Sequence, residues 1–466
     1  MKDDYAIHNL FWKSFNEYVQ LDPHLSKLAS LPLVYQPPLV EEIPILTPGI
    51  YILTGGRQVG KTTTLKLIIK QALKQKRMLP DQIYYLPCDT IKDYSQLLFE
   101  IDQFRQSIDQ NKSFLLLLDE ITYVEEWTRA IKSLADAGFF NHGSVLITGS
   151  DSYLLKDAMQ SFPGRRGLAD EQDFHLFPLS FYEYIALKEH KLCSAFAAMR
   201  TEFQKTLTIS KPQLDSASLI LLQNHFKSYL FTGGYLLAIN DFEKNKAIAN
   251  STYKTYTQWI IGDMLKRGKN ERYLNEIIKS LFPRLSKQVT WHSFAGSLSI
   301  EHHQTIIDYF NILNRMDVAI ILPALREDKL RAFPKKAKKI CFGDPFIFHA
   351  LRGWANNSKT IYDLSIELVN SSSDLYTGLI EGTIAALFSR QRETYYIKAE
   401  GEVDLAIIQQ RGFIPIEIKN SLTLNRKDLK QILKYQQGVI GYAGSEIGQF
   451  EQLRVLPIPL LGYIAV

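Results

Sequence analysis

The sequence predicts an α/β fold in its amino-terminal part, in which helices cover both faces of a parallel sheet. Four short apolar segments have the composition of buried strands, namely residues 50–53, 82–86, 114–118 and 145–148. Residues 65–73 and 97–108 lie between these segments and have apolar residues at helical spacing. Strands that alternate with helices along a chain are typical of a parallel sheet.

The composition is that of a globular protein with about two to four domains. Its 466 residues are 46% hydrophobic and 22% charged, and the net charge of +5 permits a nucleic-acid-binding face without requiring one. The three cysteines (Cys88, Cys193 and Cys341) are far apart, so neither a disulfide framework nor a zinc site is predicted. No apolar run approaches the roughly 20 residues of a membrane span, and no secretory signal is evident. We therefore expect a cytoplasmic protein without a membrane partner.

A glycine-rich loop joins the first predicted strand to the first predicted helix. It fits the pattern G-x-x-x-x-G-K-[ST], and its residues are Gly55, Gly56, Arg57, Gln58, Val59, Gly60, Lys61, Thr62 and Thr63. In this context the backbone N–H groups and the helix N-terminus bind phosphate. Lys61 would contact the β- and γ-phosphates of ATP, and the Thr62 hydroxyl would bind Mg²⁺. The alternative is a glycine-rich turn that binds no ligand.

Two acidic residues end the most apolar predicted strand. Asp119 and Glu120 follow residues 114–118, so that Asp119 would hold Mg²⁺ and Glu120 would polarise the water that attacks the γ-phosphate. For this pair alone, a buried strand that ends in solvated acids is the alternative. Combined with the upstream loop, the pair predicts a three-layer P-loop NTPase domain that hydrolyses ATP.

Polar residues beyond the fourth strand are further catalytic candidates. Ser150 could sense the γ-phosphate, or it could be a plain polar strand end. Arg165 and Arg166 lie in a glycine-flanked loop, where an arginine could stabilise transition-state charge in cis or in a neighbouring subunit. An exposed basic turn is an equal alternative, and a homo-oligomer is left open.

Helical patterns dominate residues 201–350, where Gly233 and Gly234 interrupt one helix. The later elements of this region are predicted helices at 291–298 and 301–315 and predicted strands at 318–322 and 339–342. Ser299 is the expected N-cap of the second helix. Helix, turn, helix and hairpin is the order of a winged helix.

Polar and basic side chains of the winged helix could contact DNA. The exposed face of its second helix offers His302, His303, Gln304 and Asn311 to a groove. The hairpin carries cations that suit phosphates, namely Arg326, Lys329, Arg331, Lys335, Lys336, Lys338 and Lys339. The alternative is a winged helix that contacts a protein and has a solvated basic hairpin.

Residues 351–466 contain the parts of a PD-(D/E)xK nuclease site. The parts are Glu381 in a predicted helix and Asp404, Glu417 and Lys419 in two predicted strands. Glu417 and Lys419 lie two residues apart, so they share one face of a strand. Asp404 and Glu417 could bind Mg²⁺ or Mn²⁺, Lys419 could activate water, and Glu381 could support a second ion. A β-hairpin with solvent-facing polar residues is the alternative.

Several motifs carry a family resemblance. They are 56–63 (Gly-Arg-Gln-Val-Gly-Lys-Thr-Thr), 117–120 (Leu-Leu-Asp-Glu), 148–150 (Thr-Gly-Ser), 164–166 (Gly-Arg-Arg), 177–184, 401–404 and 415–419. In this order they resemble the prokaryotic AAA+ ATPases that have a C-terminal DUF-4143 region. The resemblance implies an ATPase core of the AAA+ type, with Ser150 as the sensor and Arg165 as the preferred finger. It also implies a restriction-endonuclease-like carboxyl-terminal domain.

Four regions are therefore expected. They are a lead-in packed on the ATPase at 1–45, the P-loop ATPase domain at 46–200, a helical and winged-helix domain at 201–350, and a nuclease-like α/β domain at 351–466. The predicted function is a Mg²⁺-dependent ATPase that couples its nucleotide state to the winged-helix and nuclease-like modules on DNA. One alternative is an ATP-dependent switch that binds a protein partner and has a structural nuclease-like domain. Another is an ATP-controlled DNA nuclease.

Overall fold

The computed structural model describes residues 5–109, 112–149, 155, 158, 162, 164–206, 215–296, 298–300, 302–409 and 412–466. The chain divides into two compact units, Met1–Phe177 and Pro178–Val466. The first boundary therefore falls before residue 200, where the sequence had placed the end of the ATPase domain. The winged-helix-like and nuclease-like segments lie together in the second unit.

The first unit is built on a five-stranded parallel sheet. Its strands are β1 (Gly49–Thr54), β2 (Ile83–Pro87), β3 (Phe114–Asp119), β4 (Gly143–Thr148) and β5 (Asp173–His175). Their order in the sheet is β2-β3-β4-β1-β5, so β4 lies between β1 and β3. All residues of these three central strands are buried, as their apolar sequences require. The P-loop NTPase fold predicted from the sequence is confirmed.

The fifth strand was not predicted. β5 has three residues, and Phe174 is the one that is buried. It pairs with the carboxyl-terminal half of β1, where Ile52 lies opposite Asp173. A segment this short carries no alternation of apolar and polar residues that could reveal a strand.

Six α-helices of the first unit lie wholly within its described ranges. They are α1 (Phe15–Leu21), α2 (Pro23–Ala29), α3 (Leu39–Glu42), α4 (Lys61–Lys74), α5 (Tyr94–Ser107) and α6 (Trp127–Asp136). The helices predicted at 65–73 and 97–108 correspond to α4 and α5. Helix α4 buries an apolar stripe of Leu65, Ile68, Ile69 and Ala72. This stripe holds the helix that follows the glycine-rich loop against the sheet.

The amino-terminal segment covers the edge strand β2. Asn9 pairs with Tyr85 through two hydrogen bonds of 2.9 Å, one from the Asn9 Nδ2 to the Tyr85 carbonyl and one from the Tyr85 N–H to the Asn9 Oδ1. Trp12 Nε1 donates to the carbonyl of Ile83 at 3.0 Å. These bonds satisfy backbone groups that an edge strand would otherwise expose. Leu10–Trp12 itself forms a 3₁₀ helix.

The second unit contains twelve helices among its described residues. They are α7 (Phe181–Lys188), α8 (His190–Thr206), α9 (Ser216–Thr232), α10 (Leu236–Asn245), α11 (Asn250–Lys266), α12 (Glu271–Leu281), α13 (Trp291–Ala295), α14 (His303–Arg315), α15 (Pro345–Ala355), α16 (Ile361–Val369), α17 (Asp374–Ser389) and α18 (Ile458–Ile464). The break predicted at Gly233 and Gly234 is confirmed, because α9 ends at Thr232.

A small three-stranded sheet is formed by one strand before α13 and two strands after α14. Its strands are β6 (Gln288–Val289), β7 (Ala319–Pro323) and β10 (Lys338–Phe342), in the order β6-β10-β7, and a hairpin of β8 (Leu325–Arg326) and β9 (Arg331–Ala332) lies between β7 and β10. The element order is the predicted helix, helix and hairpin. The N-cap expected at Ser299 is wrong, since α14 begins after His302 and Ser299 instead donates to Glu276.

A six-stranded mixed sheet completes the second unit. Its strands are β11 (Thr394–Lys398), β12 (Glu402–Gln409), β13 (Gly412–Lys419), β14 (Val439–Tyr442), β15 (Gly448–Phe450) and β16 (Leu453–Pro457). Their order is β11-β12-β13-β14-β16-β15. β12 and β13 are antiparallel, with Leu405 opposite Ile416. Among the described residues no helix is both long enough and apolar enough to cross a bilayer.

Substitution of Gly233 tests whether packing requires the break between α9 and α10. It has a φ of +52°, and a Cβ placed there would lie 1.8 Å from Oδ1 of Asp344. We expect Gly233→Ala to destabilise the second unit by at least about 2 kcal/mol, because both the conformation and the space disfavour a side chain. Differential scanning calorimetry measures the change.

Gly262→Ala is the matched control for this substitution. Gly262 lies within α11, and a Cβ there would meet no heavy atom within 4 Å. Alanine is the better helix former by about 0.5–1 kcal/mol, so this variant should melt at a higher temperature. Equal melting temperatures for the two variants would show that Gly233 is not constrained.

Candidate functional site

The glycine-rich loop lies at the carboxyl end of β1, directly before α4. Gly60 is the N-cap of α4, with a φ of +108°, and no side chain caps this helix end. The N–H groups at the start of a helix point along its axis, and the helix dipole adds partial positive charge there. The buried Lys61 folds back on the loop, where its Nζ donates to the carbonyls of Gly55 and Gly56 at 2.9 and 3.0 Å. Backbone amides and a lysine together fit a phosphate.

Asp119 lies at the carboxyl end of β3, one strand away from the loop. Ile147 of β4 lies opposite both Ile52 of β1 and Leu118 of β3. Neighbouring strands are about 4.8 Å apart, so the ends of β1 and β3 are separated by roughly 10 Å. Mg²⁺ held by Thr62 and reached by Asp119 through water fits this spacing.

Thr148 and Tyr85 hold the Asp119 carboxylate from two sides. The hydroxyl of Thr148 donates to Oδ1, and the hydroxyl of Tyr85 donates to Oδ2 at 2.8 Å. Tyr85 lies on β2 and Thr148 on β4, the two strands that flank β3. The carboxylate is therefore oriented by its own sheet. The sequence analysis missed both residues, although each lies near the carboxyl end of a predicted strand.

Glu120 has a backbone conformation that is rare for a residue with a side chain. Its φ is +56° and its ψ is +38°, and its N–H donates to the Thr148 hydroxyl at 3.2 Å. Non-glycine residues in the left-handed region occur more often at functional sites than elsewhere. The strand therefore ends at Asp119, and Glu120 is partly exposed beside it.

A buried lysine links the amino-terminal segment to Asp119. Lys66 Nζ lies 3.3 Å from Oδ2 of Asp22, donates to the carbonyl of His8 at 2.9 Å, and lies 3.3 Å from the centre of the Tyr85 ring. Burial lowers the pKa of Lys66 to about 8, against the opposing effect of Asp22. The Tyr85 hydroxyl that binds Asp119 is thus supported through Lys66 by residues before β1.

Both candidate arginines lie at the opposite end of the sheet from the loop. The carbonyl of Arg166 accepts from Ile50 at 2.9 Å, at the amino end of β1, and its guanidinium binds both oxygens of Asp173 at 2.8 and 2.5 Å. Arg165 pairs with Asp136, the last residue of α6. The length of β1 separates this end from the loop by roughly 16 Å. A finger role in cis is therefore wrong for both, and Ser150 lies outside the described residues.

The four nuclease-like candidates come together in the second unit. Glu417 Oε1 lies 2.6 Å from Lys419 Nζ, as expected for side chains that share a strand face. Oδ2 of Asp404 accepts from the N–H of Ile418 at 2.9 Å, which joins β12 to β13. Glu381 of α17 is partly buried beside the same group, where the charges of Asp404 and Glu417 act on its carboxyl. The four residues therefore lie close together, and their role stays a prediction.

Burial changes the proton affinity of these acids. It raises the pKa of Glu417 to about 8, and Asp404 adds to this effect. Burial and then Asp404 also raise the pKa of Glu381 well above its ordinary value. Lys419 has a raised pKa because the Glu417 carboxylate outweighs the effect of its own burial.

Lys339 is the residue that the sequence analysis placed wrongly. It was expected on the exposed basic hairpin, but it is 2% exposed and points into the acidic group. Its Nζ lies 3.0 Å from Oδ1 of Asp404 and 2.5 Å from Oε1 of Glu402. Among the described residues, no group of three or more His, Cys, Asp or Glu side chains is arranged to hold a metal ion. The group does not fit the second metal site that was expected here.

The other basic residues of the hairpin are where the sequence predicts them. Lys329, Arg331, Lys335 and Lys336 are exposed, and Lys338 is half-buried, donating to the carbonyls of Pro334 and Lys336. On α14 and its N-cap, His302, Gln304 and Asn311 are exposed and His303 is half-buried. The rings of His303 and His292 are in contact. A positively charged surface is therefore present on this hairpin.

Two family models match parts of the chain. Residues 47–185 match the model described as AAA domain, and residues 223–358 match the model described as Domain of unknown function (DUF8612). The match to the AAA domain model lies mostly in the first unit, and its last residues, 178–185, lie in the second. The second model names no activity, so the DUF-4143 and restriction-endonuclease-like parts of the resemblance stay predictions.

The chain is also similar to individual proteins. "Uncharacterized protein MJ1637" of Methanocaldococcus jannaschii is 26% identical over 443 residues, which cover 89% of this chain and 84% of that protein. The structure of the Walker-type ATPase PABY2304 of Pyrococcus abyssi gives a TM-score of 0.39 at 14% identity and covers 66% of this chain and 91% of that chain. The ORC2 protein of Aeropyrum pernix gives 0.34 at 11% identity, with coverages of 68% and 91%. Similarity at this level supports no conclusion about function.

Glu381 gives a stability prediction with a definite dependence on pH. Its pKa is raised in the folded protein, so folding favours its protonated form, and stability falls as pH rises from the unfolded pKa near 4.5 through the folded pKa. Gln is neutral at every pH. We expect Glu381→Gln to be more stable than the unmodified protein at pH 8 and to lose that advantage at about pH 4. Thermal unfolding followed at both pH values tests this.

If Glu381→Gln raised the stability by the same amount at pH 8 and at pH 4, the account would be contradicted. The substitution would then act through packing and not through the charge of Glu381.

Proposed function

We propose that this protein is a Mg²⁺-dependent ATPase of the AAA+ type. The observation that carries the proposal is the strand order β2-β3-β4-β1-β5, which brings the glycine-rich loop and Asp119 to the same edge of the sheet. The match of residues 47–185 to the AAA domain model supports the same assignment.

We also propose a cytoplasmic location, since Cys88, Cys193 and Cys341 are free thiols.

The chain supplies most of the groups that phosphoryl transfer to water needs. Residues 55–63 hold the phosphates, with the N–H groups at the start of α4 and the ammonium of Lys61 directed at them. Thr62 and Asp119 would hold Mg²⁺, which neutralises charge on the β- and γ-phosphates. Glu120 orients the attacking water and accepts its proton. Ser150 as the γ-phosphate sensor, and Arg165 or Arg166 as a finger for a neighbouring subunit in a homo-oligomer, belong to the same proposal.

Substitution of the acid and the lysine should separate turnover from binding. Glu120→Gln keeps the size of the side chain but removes the base, so it should bind ATP normally and lose at least about 100-fold in turnover. Lys61→Ala removes the ammonium that contacts the phosphates and should lose both binding and turnover. Binding of a fluorescent ATP analogue and release of phosphate measure the two properties.

Lys74→Ala is the control, because Lys74 is an exposed lysine at the other end of α4. It should leave both properties unchanged. A Glu120→Gln protein that hydrolyses ATP at the unmodified rate would remove Glu120 from the mechanism.

We further propose that the nucleotide state controls binding of the second unit to DNA. The support is the exposed cationic hairpin with Lys329, Arg331, Lys335 and Lys336, beside a helix whose outer face is polar. Side chains of this type neutralise phosphates. The main alternative is a switch that binds a protein. ATP turnover that rises many-fold with DNA favours the DNA-binding function. Turnover that rises with a protein partner alone favours the switch.

Salt dependence tests the DNA contact. Each phosphate contact that is lost reduces the slope of log K against log salt by about one. Lys335→Ala combined with Lys336→Ala should therefore weaken binding to any DNA sequence and reduce the slope by about two. Fluorescence anisotropy over a range of salt concentrations measures it.

The control removes the same charge from another exposed pair, Lys427 and Lys430. If this pair changes the slope as much as Lys335 and Lys336 do, the effect is one of net charge and the hairpin is not the binding surface. The third alternative, an ATP-controlled nuclease, has less support because lysines already pair with its acids.

A further inference from the structure

The acidic group of the second unit lies where two sheets meet. Lys339 on β10 is opposite Gln288 on β6, so both side chains project from the same face of the three-stranded sheet. Glu402 and Asp404 are two residues apart on β12 and share a face of the six-stranded sheet. Lys339 binds both acids, and Gln288 Nε2 donates to Oε2 of Glu402. Two side chains of one sheet therefore meet two acids of the other.

Nearly every oxygen that a metal ion would use has a partner within this chain. Oδ1 of Asp404 faces Lys339, and its Oδ2 accepts from the N–H of Ile418. Oε1 of Glu417 faces Lys419, and its Oε2 lies 3.4 Å from the N–H of Asp404. A divalent cation would have to displace an ammonium group from Asp404, since two cations at such short distances repel strongly.

The lysine and the acids depend on each other. A buried ammonium is costly unless it is paired, and Lys339 is almost fully buried. The carboxylates of Asp404 and Glu402, both in contact with the Lys339 ammonium, offset this cost. Removing Lys339 would leave the partly buried carboxylate of Asp404 with one compensating donor fewer. Such a carboxylate is a good ligand for another cation.

We propose that Lys339 is an internal counter-ion that takes the place of a divalent metal at Asp404 and joins the two sheets of the second unit. The cluster then has a structural role, and DNA cleavage by it is not expected. This inference does not depend on the ATPase assignment, since every residue that carries it lies in the second unit.

Manganese binding by the full-length, nucleotide-free protein tests the proposal. Mn²⁺ is followed by electron paramagnetic resonance in the unmodified protein, in Lys339→Met, and in each of these with Asp404→Asn added. We expect Asp404→Asn, introduced alone, to leave the amount of bound Mn²⁺ unchanged. Lys339→Met should gain a Mn²⁺ site that Asp404→Asn removes. Its melting temperature should fall relative to the unmodified protein and recover in millimolar Mn²⁺.

Two further variants keep the test decisive. Lys338→Met removes the neighbouring lysine, which makes no contact with the acids among its described hydrogen bonds, and should gain no Mn²⁺ site. If Lys339→Met does not fold, Lys339→Gln carries the same comparison, because its amide can still donate to Asp404. Mn²⁺ bound by the unmodified protein and lost in Asp404→Asn would overturn the proposal. So would a Lys339 variant that folds, melts normally and gains no Mn²⁺ site.

Discussion

The register of three buried strands is the constraint on which the nucleotide site depends. β4 pairs with β1 on one side and with β3 on the other, and Ile147 lies opposite Ile52 and Leu118. A shift of one residue in either pairing would turn every side chain of that strand to the other face of the sheet. Because all three strands are apolar and buried on both faces, packing holds this register. Asp119 and the loop before α4 are thereby fixed at one edge.

Side chains of the two neighbouring strands then orient the acid. Tyr85 and Thr148 donate to the two oxygens of Asp119, and Lys66 lies against the Tyr85 ring. Lys66 is held in turn by Asp22 and by the carbonyl of His8. The amino-terminal segment therefore does more than cover an edge strand. It is the outermost layer of the support for a carboxylate in the candidate ATP site.

The second unit uses a buried lysine in a related way. Lys66 and Lys339 are both almost fully buried, and each is paired with a carboxylate. Burial lowers the pKa of Lys66 to about 8, and Asp22, its one acidic neighbour in direct contact, opposes this effect. Lys339 has two acids in contact and its pKa is raised.

Local sequence patterns predicted the parts of the fold that local chemistry controls. The central strands, α4, the loop with Lys61, and Asp119 were all found, because glycine spacing and apolar runs are visible in the sequence. The contacts that depend on tertiary packing were not. Arg166 has no local feature that places it at the amino end of β1, and Lys339 was counted with a basic hairpin although it is on the strand that follows. Strand alternation separates Lys339 from Lys338, but it does not say which of the two meets acids from another sheet.

A crystal structure of the full-length protein with Mg²⁺ and a non-hydrolysable ATP analogue tests the central claim most directly. We predict a triphosphate bound by the backbone amides of residues 55–63 and by Lys61. We also predict Mg²⁺ between the Thr62 hydroxyl and Asp119, with Asp119 contacting it directly or through one water. A nucleotide bound elsewhere, or a metal ion with no contact to Asp119 even through water, would contradict the account.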